Sequence, residues 1–68
     1  SSAASDVYKR QQLDNRIVGL QRMLKGYKEG TLEFTPNCSY EILCAQLIYM
    51  KFYRDILEAR AEIENIEL

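Results

Sequence analysis

Apolar residues recur through the first half of the chain at Leu13, Ile17, Leu20, Leu24 and Tyr27, at intervals of 4, 3, 4 and 3. That alternation follows one face of an α-helix. Gly30 supplies a stop, since helices commonly end on a glycine in the left-handed region, and Lys25 and Lys28 oppose the negative end of the helix dipole. Gly26 weakens the last turns. The pattern predicts a first helix over 12–28.

The stretch "GTLEFTPNCS" breaks the period. Pro36 cannot continue a helix, and Asn37 or Ser39 can cap the next one. With Ser39 as N-cap, Cys38 and Leu43 take the two positions of a hydrophobic staple, and Glu41 falls in the first turn where negative charge is favoured. Leu32 and Phe34, alternating with polar neighbours, are expected to plug the turn end of a hairpin. The predicted connection is 29–38.

From 39 to 66 a second helix is predicted, and it carries two apolar seams. One is Ile42, Ala45, Tyr49, Phe52, Ile56, Ala59, Ile63 and Ile66, unbroken in its alternation of 3 and 4. The other is Tyr40, Leu43, Leu47, Met50, Leu57, Ala61 and Leu68, interrupted at Arg54 and Glu64. At about 100° per residue the two seams lie on nearly opposite sides of the helix. A first helix can cover only one, and periodicity does not say which. The short connection makes the helices antiparallel neighbours, so the expected fold is all-α: an antiparallel two-helix hairpin with a longer second helix, dimerising into a four-helix arrangement that covers the remaining seam. The candidate interface residues are Tyr40, Leu43, Leu47, Met50, Arg54, Leu57 and Ala61. A helical protein partner is the alternative cover. Arg54 interrupts its seam where a buried cation is costly unless paired, so its long stem is expected to carry the charge out to solvent.

The first eleven residues, "SSAASDVYKRQ", stand apart. Permitted codons for all of them spell a transposase-type adapter used in sequencing libraries, and on that resemblance 1–11 is expected to be an adapter-derived, non-native tail, with 12–68 a single helical-hairpin domain. The charged Asp6 and Arg10 stand where the apolar seam of the first helix would otherwise continue.

Over 12–68 the chain has 7 basic and 9 acidic residues, a net charge of −2, which gives no overall attraction to nucleic acid. A domain this small buries a thin core and usually needs a disulfide, a metal or a partner. The chain has no His, and Cys38 and Cys44 cannot close a four-ligand zinc site. Six residues apart at the start of a helix, the two cysteines point in different directions, so free, buried, packing thiols are expected, and with them a reducing, cytoplasmic setting. No segment is apolar for long enough to span a membrane, and no cofactor motif is present. A partner subunit is the remaining staple.

Without histidine, nucleophilic catalysis by a His-assisted triad is excluded. The acids Asp55, Glu58, Glu62, Glu64 and Glu67 read as a solvated surface, with Arg54 and Arg60 among them. The first helix carries Arg22, Lys25 and Lys28 away from its apolar seam, where they could meet phosphate, so a dimeric nucleic-acid-binding regulator is the second functional reading. The run "AQLIYMKFYRDILEARAEI", with Gln46, Leu47, Met50, Tyr53, Leu57 and Arg60, together with "LDNRIVGLQRML", resembles a family of small helical proteins from crAss-like gut phages. The resemblance implies a phage-encoded helical hairpin in a bacterial host and transfers no catalytic residues. The first helix also looks superficially like that of the helical chorismate mutases, whose cationic side chains hold a dicarboxylate. Arg16 and Arg54 would be the candidates in that third reading. The leading expectation is a non-catalytic helical module for protein–protein interaction.

Overall fold

A computed structural model describes residues 2–68, with side chains from Ala4 onward, and shows two helices packed along their length with no strand among the described residues. Helix α1 spans Ser2–Glu29 and helix α2 spans Tyr40–Glu64. The molecule measures 43 × 18 × 17 Å, close to the length of α1 alone at about 1.5 Å per residue. Over the described residues the architecture is therefore an antiparallel helical hairpin.

The core is small. Ile17 and Leu24 are buried on α1, and Leu43 and Ala61 on α2; Ile17, at 1% exposure, is the one large side chain among the described residues wholly removed from water. Leu13, Leu20 and Tyr27 are half-buried along the same stripe of α1. At the turn end, the rings of Tyr27 and Tyr40 meet edge to face with centroids 5.4 Å apart, an arrangement favoured by the aromatic quadrupole.

Each helix boundary has a local cause. At the end of α1, Gly30 adopts φ +71° and the Thr31 amide donates to the Gly26 carbonyl at 2.9 Å, which is a Schellman closure. Gly26 is buried, and a Cβ there would lie 2.9 Å from Leu32 Cδ2. The glycine that weakens the helix is thus the seat of the first apolar residue of the connection. Phe34, expected to plug the turn with Leu32, instead stands 58% exposed, because Leu32 alone fills the space over Gly26. Ser39 caps α2 in extended backbone, its hydroxyl accepting from the Ile42 amide at 3.2 Å. Asn65, in the left-handed region, ends α2, and the Ile66 amide donates to the Ala61 carbonyl at 2.8 Å.

Helix α1 starts ten residues before the expected boundary at 12, so α1, with 28 residues, is longer than α2, with 25. The cause is visible in the side chains. Tyr8 and Gln12 are hydrogen-bonded at 3.0 Å and Arg10 pairs with Asp14 at 3.2 Å, both at the i, i+4 spacing that supports a helix. Cys38, expected to be buried, is exposed, while Cys44 is half-buried, and both are free.

Two substitutions measure how thin this core is. Ile17→Ala should cost about 2–4 kcal/mol of folding free energy and leave the chain largely unfolded at low concentration, as read by the loss of the helical circular-dichroism signal. Ser39→Ala should cost about 1 kcal/mol, seen as a lowered denaturation midpoint with unchanged helix length at α1.

Candidate functional site

Two surfaces of the hairpin carry the chemistry it has. The first is the outward side of α2. Of the two seams on this helix, the one containing Leu43, Leu47, Met50, Arg54, Leu57 and Ala61 lies toward α1: Leu43 and Ala61 are buried, and Leu47, Met50, Arg54 and Leu57 are half-buried, as is Tyr40 at its start. These are the residues singled out from the sequence as interface candidates, and in the single chain they pack the hairpin together. The seam left in water is the unbroken one. Ile42, Tyr49, Phe52, Ile56 and Ile63 are each more than half exposed, up to 81% at Ile63, and Ala45 and Ala59 are exposed between them. Ile48 and Tyr53, also more than half exposed, widen the stripe on either side.

The preference has a geometric reason. α1 is a single cylinder whose inward stripe is narrow, so the seam it covers can tolerate a cation at its margin. Arg54 keeps 31% of its side chain exposed and its Nε lies 4.0 Å from an Asp55 carboxylate oxygen, so the charge sits at the edge of the helix pair.

The second surface is a cleft of about 120 Å³ at the open end of the hairpin, between the first turns of α1 and the last turns of α2. Lys9 and Arg10 face Tyr53, Leu57 and Arg60 across it, and Asp6 and Glu64 contribute negative charge. Arg10 is its organising residue. The guanidinium donates to both oxygens of Asp14 at 3.2 and 3.3 Å and reaches across to the Glu58 carboxylate, with only 15% of the side chain exposed. Burial works against the Arg10 charge, but the hydrogen bonds and charges of Glu58 and Asp14 outweigh it and raise the guanidinium pKa above its ordinary value. Arg60 is likewise held by Glu64 at 3.2 Å. Two of the three cations lining the cleft, Arg10 and Arg60, thus already have carboxylate partners, which an anion approaching them would have to displace.

Arg22, Lys25 and Lys28 are all exposed on α1. Arg16 is exposed and Arg54 half-buried. Among the described residues no group of three or more His, Cys, Asp or Glu side chains is placed to hold a metal ion, and no helix is long and apolar enough to cross a membrane.

Two long helices, a ten-residue connection and an apolar outer seam define a small all-helical class of protein. Its family follows from the sequence pattern: the Sequestin family model matches residues 7–63, across both helices and the connection, and the chain belongs to that family. The match begins at Val7, within the segment that precedes Gln12. No curated protein and no solved structure matches the chain.

The sequence reading did not pick out the Arg10–Glu58 pair. Its signal was available in the order Asp6, Arg10, Leu13, Ile17, which keeps the 4, 3, 4 intervals of the seam while exchanging apolar for charged residues. Glu58→Gln should weaken the closure of the open end. Backbone amides over 4–11 should exchange several-fold faster, while overall stability changes by less than about 1 kcal/mol, as expected for a partly exposed pair, and raised salt should mimic the effect in the unsubstituted chain.

Proposed function

We propose that this Sequestin-family chain is a non-catalytic helical interaction module that works through the outward seam of α2. The observation that carries the reading is an imbalance. Seven large apolar side chains of α2 stand more than half exposed, whereas four apolar residues make up the buried core among the described residues. With roughly 150–250 Å² for a large side chain, the exposed fractions amount to on the order of 900 Å² of surface along one helix. Monomeric soluble proteins rarely leave a contiguous apolar patch beyond a few hundred Å² in water, and about 800 Å² per partner is the size of a standard specific interface. Another apolar helix laid along α2 is the counterpart whose shape fits.

A non-catalytic role is supported by the chemistry of the open-end cleft, whose arginines are already engaged by carboxylates. The likeness of the Gln46–Arg60 run to gut-phage proteins supports a phage-encoded protein acting in the cytoplasm of a bacterial host.

The reading is tested by asking whether the seam is sticky. At tens of micromolar the chain should either sediment above its monomer mass of 8.0 kDa or bind a hydrophobic dye strongly. Phe52→Glu, which alters a side chain turned away from α1, should suppress whichever is seen, weakening assembly by about 30-fold or more while the helical signal of the hairpin persists. A monomer that ignores the dye would remove the basis of the proposal.

A further inference from the structure

We infer that the occupant of the outward seam is a second copy of the chain, laid antiparallel along α2 about a two-fold axis at Phe52 and Tyr53. The inference rests on the interaction reading above and adds to it the identity and direction of the partner.

The first ground is the order of side chains on the exposed face, which is nearly the same read from either end. Isoleucines stand at the two ends, Ile42 and Ile63. Alanines come next, Ala45 and Ala59. Tyr49 and Ile56 flank the centre, and Phe52 occupies it. Laid antiparallel on itself, the seam sets Ile42 against Ile63 of the second copy, Ala45 against Ala59, Tyr49 against Ile56, and Phe52 close to its own counterpart. The two alanine contacts fall about 21 Å apart at 1.5 Å per residue, where small side chains let the backbones approach. The large residues between and beyond them fill the space on either side of each contact, as knobs enter holes.

An in-register parallel pair would match sizes equally well, so direction is decided by charge. The open end of the hairpin, residues 1–14 with 55–68, carries 3 basic and 7 acidic side chains, a net −4. The turn end, residues 22–41, carries 3 of each and is neutral. A parallel pair would hold two ends of −4 side by side, whereas an antiparallel pair sets each beside a neutral end and also opposes the two α2 dipoles. The one attraction that favours the parallel arrangement, Asp55 with Arg60 of the other copy, is weakened because Arg60 is already held by Glu64 at 3.2 Å.

Disulfide trapping in the full chain, with Cys38→Ser and Cys44→Ala to remove the native thiols, distinguishes the arrangements. An equimolar mixture of Ala45→Cys and Ala59→Cys chains should give the mixed 45–59 cross-link about tenfold over either homodimer on mild oxidation. Ile42→Cys mixed with Ile63→Cys should repeat the result and covers the case in which a substituted alanine disturbs the helix, checked by circular dichroism. Sedimentation of the unsubstituted chain should give twice 8.0 kDa. Efficient self-cross-linking of Ala45→Cys alone would mean a parallel dimer and overturn the inference while leaving the interaction reading intact. A monomer that binds dye through Phe52 would do the same, pointing to a different partner. A monomer that binds no dye would remove both.

Discussion

A helix that is apolar on two opposite sides sets the terms for the rest of this structure. Packing two helices can dry one stripe of each, and α1 dries the stripe of α2 that contains Leu43 and Ala61. The opposite stripe, richer in aromatic and β-branched side chains, stays in water. For a chain of 68 residues this is a severe allocation, because small domains already bury a modest fraction of their apolar surface. The hairpin holds its shape with few buried groups, and most of its hydrophobic potential is directed outward.

The two ends of the hairpin are closed by different physics. At the turn, closure is steric and local: Gly30 supplies the left-handed residue, Gly26 makes room, and Leu32 folds onto the helix it has just left. At the open end the apolar seam of α1 gives way to Asp6 and Arg10. Arg10 replaces packing with a shared cation, held by Asp14 on its own helix and by Glu58 on the other. Directional polar contacts of this kind fix the relative register of the helices more than they stabilise it, since a partly exposed ion pair contributes little net free energy. The turn end therefore anchors the fold and the open end aligns it.

Much of this was legible in the sequence, and what was not has identifiable causes. The 4, 3 intervals from Leu13 to Tyr27, the Gly30 stop and the Ser39 cap place the hairpin, because each rests on a short-range rule. The two seams of α2 were also visible. Which of them meets α1 was not, because both share the helical period and period alone carries no direction. Arg54 interrupts the seam that meets α1, and at the margin of a two-helix contact its long stem reaches water with nearly a third of the side chain exposed, as the cost of burying a lone cation leads one to expect. The first turns of α1 escaped because 1–11 reads as an adapter-derived tail and the charges of Asp6 and Arg10 as the end of the seam, whereas these residues keep its spacing with a different chemistry. Phe34 shows the opposite error, an apolar residue with no vacancy to fill.

The separation of the two seams has a consequence for how this family member tolerates change. Side chains such as Tyr49 and Ile63 make little contact within the hairpin, being 72% and 81% exposed, so their substitution leaves folding of the single chain nearly untouched. Leu43, Ala61 and Ile17 are in the reverse position. If association in turn shields the outward seam, its free energy adds to that of folding through mass action, and the thin core need not be self-sufficient at the concentrations where the protein works. The exposed seam would then be the larger part of the molecule's stability, held outside the single chain, and the poverty of the core and the richness of the surface would be two expressions of one arrangement.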